Sequence, residues 1–300
     1  MARYPEDLDR WRRAAEISAR ARSVGIRAAV PGALRRDVAE AIEAAIREAG
    51  AEPAFPANLS RNVEAAHYTP SPEDEARLEA GDLLKVDVGA HLDGAIADTA
   101  ETVEVGGGHR HDHLRHAVRE AVEAGIARVR DGVRVDEISR AIEGAIHARG
   151  LKPVRNLTGH TIERYLLHAG KSIPNASGMS SDRLHEGEIV AIEPFATNGA
   201  GEIENGPFGN IVRFRAEPGP GSPTAKAWFD RFRTLPFTAR WIPPGDRGAM
   251  GKVRRMLQSY PVFVERGGGL VAQWEHTVLV LADGSEVLTR GPEGRPAAAA

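Results

Sequence analysis

The stretch KVDVGAHLDGAIADT, residues 85–99, places two aspartates on either side of an Asp-Gly pair in a segment with strand character. Asp-Gly is a strong signal for a two-residue hairpin turn, and a turn at this pair aligns Gly89 with Asp98. Asp87 and Asp98 then share one face as diagonal neighbours, with backbones about 7 to 8 Å apart. Two carboxylates this close repel each other unless a proton or a cation neutralises them, and Gly89 leaves room for that cation.

Further acids and histidines extend this pair into a candidate metal site. The 300 residues include no cysteine, so any metal must be held by Asp, Glu and His. Acids are depleted in strand centres, yet four of them occupy such positions here. This set of oxygen and nitrogen ligands suits two divalent ions of the Mn, Fe, Co or Zn kind, about 3.5 to 4 Å apart. A carboxylate pair sharing one proton is the simpler alternative, but it needs no histidine. The candidates are Asp87, Asp98, Glu193 and Glu275, with His67, His160 and His168.

Paired helices and intervening strands must position these residues. Apolar periodicity and end signals predict two helix pairs, and runs of strand character lie between and after them. This alternation predicts an α/β fold. The helices are predicted at 6–28, 34–49, 112–130 and 135–149, and the strands at 83–92, 95–105, 188–197, 270–281 and 286–289.

Two segments of the chain resemble each other at an offset of 106 residues. Residues 77–87 are RLEAGDLLKVD and residues 183–193 are RLHEGEIVAIE, so Arg, Leu and Gly recur and each segment ends in an acid. An internal repeat makes Asp87 and Glu193 equivalent positions in two halves of one domain, facing each other across a pseudo-twofold axis. The alternative is a chance likeness between two strands that each follow a turn glycine.

Composition and charge restrict the possible partners. With 42% hydrophobic and 27% charged residues, the chain has the composition of a soluble globular protein, and it has no run of about eighteen apolar residues. We therefore expect a cytoplasmic protein with no membrane contact. The net charge of −3 argues against DNA binding, but residues 206–266 carry eleven Lys and Arg against four Asp and Glu. This basic segment is either a solvated surface or a contact with ribosomal RNA.

Seven motifs in order resemble one family of enzymes. The sequences HYTP, KVDVGAHLDGAIADT, NLTGH, IERYLLHAG, AIEPFAT, TLPFTARW and VAQWEHT closely resemble the type II methionine aminopeptidases, in the short archaeal form, from about Phe55 to Leu281. The resemblance implies the duplicated pita-bread fold of the creatinase and aminopeptidase group, an α/β (α+β) fold with an inserted small helical, winged-helix-like subdomain. The expected domains are 1–205 with 267–295 as the catalytic domain, 206–266 as the insertion and 296–300 as a frayed tail.

The same resemblance implies an activity and a set of metal ligands. The activity is metal-dependent removal of the N-terminal methionine from nascent proteins and peptides, with a small second residue preferred and a hydroxide that bridges two metal ions (Co, Mn, Fe or Zn) as nucleophile. The enzyme is expected to act as a monomer. The implied metal ligands are Asp87, Asp98, His160, Glu193 and Glu275.

Roles in catalysis and substrate binding also follow from the resemblance. Glu193 is expected to move a proton from the water to the leaving amine. His168 is expected to contact the scissile carbonyl or the next peptide unit, and His67 to help stabilise the developing oxyanion. An apolar methionine pocket is expected from Phe55, Leu167 and Tyr260, together with the two histidines. No pocket residue is assigned within residues 205–224, because NGPFGNIVRFRAEPGPGSPT is shorter and richer in glycine than the family pattern.

Two other functions are compatible with much of this sequence. A proline-directed dipeptidase or aminopeptidase of the same fold uses the same five ligands, but usually carries a large N-terminal domain, whereas only about 50 residues precede Phe55 here. A non-catalytic binding protein of this fold typically has substituted ligands, and none of the five is substituted. The sequence therefore favours an aminopeptidase.

Overall fold

The computed structural model describes residues 4–290, apart from the side chain of Phe208. The expected frayed tail, 296–300, lies outside the described residues, as does the expected end of the catalytic domain at 295. No helix within residues 4–290 has the length and hydropathy needed to cross a membrane. The α-helices are α1 (Leu8–Ala28), α2 (Arg35–Glu48), α3 (Asp112–Ile126), α4 (Val135–Ala148), α5 (Pro223–Phe232) and α6 (Met250–Val253).

Fourteen strands in residues 4–290 form two sheets. The larger sheet has eleven strands with the central order β1-β4-β5-β13-β9-β7-β8, and the smaller has the order β11-β12-β3. The strands are β1 (Glu52–Pro53), β2 (Asn58–Arg61), β3 (Glu64–Ala66), β4 (Leu83–Leu92), β5 (Ala95–Glu104), β6 (Lys152–Pro153), β7 (Thr158–Ile162), β8 (Ser172–Pro174), β9 (Ile189–Ile192), β10 (Phe195–Thr197), β11 (Ile203–Phe214), β12 (Leu257–Glu265), β13 (Val271–Leu281) and β14 (Gly284–Val287).

The two predicted helix pairs cover the same face of the large sheet. In one half, the apolar face of α1 and α2 packs on the β4 side chains Val86 and Val88. In the other half, α3 and α4 pack on Val190 and Ile192 of β9 and on Val278 of β13. Because side chains alternate along a strand, the residues between these apolar positions face the opposite side of the sheet. That opposite side is left for the candidate ligands.

Equivalent backbone contacts in the two halves confirm the internal repeat. Leu34, just before α2, forms an isolated antiparallel bridge with Arg77, and Arg134, just before α4, forms the same bridge with Arg183. The two bridges therefore join the same elements in each half. The fold is the duplicated α/β arrangement expected from the sequence.

Two predicted elements differ in the structure for local reasons. The predicted strand 188–197 is divided into β9 and β10 around Glu193 and Pro194, since proline has no N–H to donate to a sheet ladder. The third helix ends at Ile126 rather than at 130, because Arg128 and Val129 donate to carbonyls three residues earlier and so close the helix with tighter turns.

Residues 206–266 combine strands with short helices. The strands β11 and β12 pair along most of their length and frame α5, three 3₁₀ turns and the one-turn helix α6. Within this insertion, which the sequence predicts to be helical, residues 246–256 form only α6 and short 3₁₀ turns, and from Leu257 the chain enters β12. Aromatic side chains fill a separate small core here, including Phe214, Phe229, Phe232 and Phe237.

Candidate metal centre

The β4–β5 hairpin has the register predicted from its turn. Asp93 and Gly94 both have positive φ, 48° and 84°, as a two-residue hairpin turn of this kind requires. Gly89 consequently lies opposite Asp98, and Asp87 lies on the same face one pair further along. The sequence therefore determined how the two aspartates are brought together.

The space above Gly89 is filled by protein, which corrects one expectation. A Cβ on Gly89 would lie only 2.3 Å from Cε1 of Phe55, so the ring of Phe55 occupies the volume that the sequence analysis gave to a cation. Phe55 reaches this position from the loop between β1 and β2. Gly89 is thus needed for the close approach of an aromatic side chain, and the space for a metal must lie beside the aspartates.

The central strand β13 joins the two halves and contributes the third acid. Glu275 lies opposite Ala100 of β5, while the next residue, His276, lies opposite Ile192 of β9. Glu193 follows directly after β9, and His160 on β7 pairs with Ala191 of β9. The five expected ligands therefore come from five adjacent segments of one sheet.

Three of these side chains are already arranged as a metal site. One ligand atom from each of Asp98, His160 and Glu275 lies within 4.8 Å of the other two, and all three residues are buried. Nε2 of His160 is 3.8 Å from Oδ2 of Asp98. Asp87 and Glu193 line the same cavity, although they are not part of this tightest group.

Several buried carboxylate oxygens here have no hydrogen-bond partner within residues 4–290. They are Oδ1 of Asp87, Oδ1 of Asp98 and both side-chain oxygens of Glu275. A buried carboxylate without a partner is strongly destabilising unless its charge is neutralised. The unpaired oxygens and the neighbouring imidazole fit a divalent cation.

The electrostatics of the cluster lead to the same conclusion. Burial raises the pKa of Asp87 to about 7. Burial, followed by repulsion from the neighbouring acids, raises the pKa values of Asp98, Glu193 and Glu275 well above the usual range. Burial also lowers the pKa of His160 far below its usual value, which keeps the imidazole neutral and able to act as a ligand. Cations would allow all four acids to ionise together.

Hydrogen bonds from neighbouring strands fix the acids. The Asp98 amide donates to Oγ1 of Thr277 at 2.8 Å, and that hydroxyl donates to the Asp98 carbonyl at 2.7 Å. Oγ1 of Thr99 donates to the Glu275 carbonyl at 3.0 Å. The side-chain amide of Gln273 reaches Oδ2 of Asp87 at 3.4 Å. These contacts hold the acids on rigid strands, as a preorganised site requires.

A cavity of about 260 Å³ opens above the acids. Except for Glu275, which is fully buried, every residue named as a candidate ligand, catalytic group or pocket residue lines it. Its walls are mostly apolar away from the acids. The lining includes Phe55, His67, Asp87, Asp98, His160, Leu167, His168, Glu193 and Tyr260.

The two non-ligand histidines have different surroundings. His67 adopts a left-handed backbone conformation with φ of 67°, and its ring lies between Tyr260 and Phe263, with centroids 5.3 and 4.5 Å away. His168 packs against His160, with a centroid separation of 4.3 Å. Burial lowers the pKa of both His67 and His168 to about 4, so both rings are neutral at pH 7 and can donate one hydrogen bond.

Comparison with known proteins identifies the family. Residues 9–282 match the sequence profile of metallopeptidase family M24. The chain belongs to that family. A methionine aminopeptidase from Pyrococcus abyssi is 43% identical over 295 residues, which cover 94% of this chain and 99% of the relative. Relatives of this kind confirm the resemblance to type II methionine aminopeptidases.

Solved structures agree with this metallopeptidase fold. A methionine aminopeptidase from Thermotoga maritima aligns with a TM-score of 0.72 at 23% identity, covering 96% of this chain and 99% of that one. A prolidase from Pyrococcus furiosus aligns with a TM-score of 0.63 at 19% identity, covering 96% of this chain but only 65% of that one. At these identities the two structures support the fold alone. Membership of the family, together with the acid and histidine cluster, supports the use of divalent metal.

Several lining residues of the metallopeptidase were not found from the sequence. Ile211 on β11, Pro236 and Phe263 form part of the cavity wall, and Asn58 lies beside Asp87 on the neighbouring strand. The alternation in NIVRF was the available signal for β11. It was missed because the preceding glycines resemble a loop.

Proposed function

We propose that this metallopeptidase removes the N-terminal methionine from nascent proteins and peptides, with a preference for a small second residue. The observation that carries the proposal is the 43% identity to a methionine aminopeptidase over 94% of the chain. The buried acids and histidine beside an apolar cavity agree with it, because this arrangement combines a site for hydrolytic metals with a slot for an unbranched apolar side chain.

The proposed cofactor is a pair of divalent ions, Co, Mn, Fe or Zn. Asp87, Asp98, His160, Glu193 and Glu275 would hold them, a donor set of carboxylates and one neutral imidazole that suits these metals. When bound, the ions supply an activated water at neutral pH and polarise the carbonyl under attack. The shared charge of four acids explains why two cations are proposed rather than one.

The other side chains would bind the peptide and move protons. Glu193, at the edge of the cavity, is proposed to accept a proton from the attacking water and deliver it to the leaving amine. His168 is proposed to donate a hydrogen bond to the scissile carbonyl, and His67 to the developing oxyanion. Their low pKa values favour donation by neutral rings, which adds no cation beside the metals.

The methionine side chain is proposed to occupy the apolar part of the cavity. Phe55, Leu167 and Tyr260 line it, and Ile211 and Phe263 extend the same wall. A cavity of about 260 Å³ accepts one side chain of this size together with a short piece of backbone. Limited space beyond the first residue is consistent with the small second residue that we propose.

The proline-directed alternative remains the main competitor. It shares the fold, but the prolidase that aligns with this chain is longer, since only 65% of it is covered. A non-catalytic role is less well supported, because every expected ligand is present and four of the five are carboxylates whose pKa values burial raises.

We also propose that the enzyme works as a cytoplasmic monomer and that residues 206–266 form a subdomain that contacts the ribosome. The exposed cations Lys252, Arg254 and Arg255, in α6 and the 3₁₀ turn after it, form no ion pair within the described part of the chain and would suit RNA phosphates. Reversing their charges should abolish salt-dependent co-sedimentation with ribosomes. Unchanged co-sedimentation would contradict the proposed ribosome contact but would not affect the proposal of peptidase activity.

Peptide hydrolysis followed by mass spectrometry tests the proposed activity. Metal-stripped protein is supplied with Mn, Fe, Co or Zn and given Met-Ala-Ser, Met-Lys-Ser or an Xaa-Pro dipeptide. We expect methionine release from Met-Ala-Ser, little from Met-Lys-Ser and none from the dipeptide. Cleavage of the proline dipeptide alone would favour the competitor, and no cleavage with any metal would favour a binding protein.

A further inference from the structure

The paired strands β11 and β12 form one wall of the cavity and continue beyond it. Ile211 pairs with Tyr260, and both side chains line the cavity. Two residues further along each strand, Arg213 pairs with Gln258. Because side chains on one face recur every second residue, Arg213 lies on the cavity-facing side about 6.6 Å beyond Ile211.

This direction leads out of the cavity. Ile211 is buried, with 2% of its surface exposed, whereas Arg213 is partly exposed and Arg215 is exposed. Arg213 therefore lies where this wall runs from the cavity toward solvent. A peptide whose amine is held at the acids and whose backbone follows this wall passes Arg213.

The guanidinium of Arg213 has no counter-charge. Its Nε and Nη2 both donate to Oε1 of Gln258, at 3.2 and 3.1 Å, and it forms no ion pair with any acid in residues 4–290. Arg240, in the same segment of the chain, is in contrast buried in a salt bridge with Glu43 at 2.6 Å. Arg213 thus presents an unneutralised charge beside the proposed substrate path.

Electrostatic effects place this charge within range of the cavity. Burial is the main cause of the lowered pKa of His168, and the charge of Arg213 lowers it further. The same charge acts on Tyr260, where it opposes the rise in pKa that burial causes. Both side chains line the cavity.

We infer that Arg213 is a specificity-determining residue that binds a carboxylate on the third or fourth residue of the substrate peptide. The inference rests on the proposed function, since it assumes a peptide anchored by its first residue. An extended peptide advances about 3.3 Å per residue, so the third and fourth residues reach the level of Arg213. A guanidinium that already presents its edge to Gln258 keeps further N–H donors for a carboxylate.

The carboxylate can come from an acidic side chain or from the C-terminus of a very short peptide. Matched peptides separate these sources: Met-Ala-Ser-Ser-Gly, Met-Ala-Glu-Ser-Gly, Met-Ala-Ser-Glu-Gly and Met-Ala-Lys-Ser-Gly, each C-terminally amidated. Met-Ala-Ser as free acid and as amide forms the second arm. The measured quantities are kcat and KM for methionine release by the metal-loaded enzyme.

We expect the Glu peptides to have a KM about three- to tenfold lower than the Ser peptide, with kcat little changed, as a partly exposed ion pair would give. Arg213→Gln should abolish this difference, Arg213→Lys should restore part of it, and Arg213→Glu should reverse it in favour of the Lys peptide. Arg128→Glu, which makes the same charge change at an exposed position outside the cavity lining, should keep the preference of the unaltered enzyme.

Two results would overturn the inference while leaving the proposed function intact. One is equal KM values for the Glu, Ser and Lys peptides, and the other is a Glu preference that survives Arg213→Gln. A preference limited to the free-acid tripeptide would instead assign Arg213 to the C-terminal carboxylate. If no peptide loses methionine, the proposed function itself fails, and the inference fails with it.

Discussion

Ser60 and His160 occupy equivalent positions in the two halves of the molecule. Ser60 on β2 pairs with Lys85 of β4, and His160 on β7 pairs with Ala191 of β9. Lys85 and Ala191 are equivalent positions of the internal repeat. Oγ of Ser60 accepts a hydrogen bond from the amide of Tyr68, whereas His160 faces the acids. The two halves thus share a backbone frame, and only one of them has an imidazole at this position.

The connections that follow these residues differ in length. The segment from Ser60 to the bridge at Arg77 is six residues shorter than the segment from His160 to the equivalent bridge at Arg183. The longer connection contains His168, and the shorter one contains His67. The duplicated frame therefore positions the acids, while the two unequal connections supply the side chains proposed to contact the substrate.

Removing a ligand on the shared frame should have the largest effect. Asp98→Ala should lower methionine release by more than about a thousandfold, because bound metal contributes several kcal/mol to stabilising the transition state. Metal content measured after dialysis should fall as well. Ser60→Ala, a change at a position outside the metal cluster and the cavity lining, should leave metal content unchanged. Equal metal content in Asp98→Ala and the unaltered protein would contradict the ligand assignment.

Substitutions at Glu43 and Glu143 test how much equivalent residues contribute to the stability of each half. Glu43 is buried and accepts hydrogen bonds from Arg240, Trp241 and the amide of Ala57. We expect Glu43→Gln to lower the free energy of unfolding by about 3 to 5 kcal/mol, since it leaves a buried arginine without its partner.

Glu143, the equivalent residue in the second half, accepts hydrogen bonds from the amide and the hydroxyl of Ser177. Glu143→Gln should cost about 1 kcal/mol, as for an ordinary hydrogen bond to a partly exposed acid. Urea denaturation measures both variants. Equal losses would show that the contact with residues 206–266 adds nothing to the stability of the first half.

Substitution of a histidine in one of the two unequal connections tests whether these connections supply substrate contacts. His168→Ala should lower kcat by about a hundred- to a thousandfold, the usual effect of losing one hydrogen-bond donor to the carbonyl under attack. Metal content should remain at the level of the unaltered protein, which distinguishes this variant from Asp98→Ala. A parallel loss of metal would instead make His168 a ligand.

The last set of changes concerns helix packing in the two halves. A Cβ on Gly25 would lie 2.5 Å from Cδ1 of Ile42, and one on Gly125 would lie 2.9 Å from Cγ1 of Ile142. Each Gly→Ala change should lower the free energy of unfolding by about 1 to 3 kcal/mol, with Gly25 the more sensitive. Gly144→Ala faces open space and should raise it by about 0.5 to 1 kcal/mol. If all three Gly→Ala variants were more stable than the unaltered protein, the close helix packing at Gly25 and Gly125 would be contradicted.

Local sequence signals predicted the parts of the site that depend on local geometry. The Asp-Gly turn determined the hairpin register, and the repeat related Asp87 to Glu193 before the fold was known. The contact of Phe55 with Gly89 could not be predicted, because it joins residues that lie far apart along the chain.

Besides the glycines that precede it, the irregular pairing of β11 made this strand hard to predict from the sequence. Two register shifts interrupt its ladder with β12, and Gly209 lies so close to the carbonyl of Tyr260 that a Cβ would be 2.4 Å away. These features disturb the alternation on which strand prediction depends. The wall that carries Ile211 and Arg213 was therefore visible only in the structure.

The central claim is that the two halves place four acids together, three of them buried and Glu193 partly buried, so that divalent cations can bind there. The most direct test is titration of metal-stripped protein with Co or Mn, with bound metal and methionine release from Met-Ala-Ser measured in the same samples. The account predicts two ions bound per chain and activity that rises with occupancy. Full activity in the stripped protein, or activity that does not change as metal binds, would contradict it.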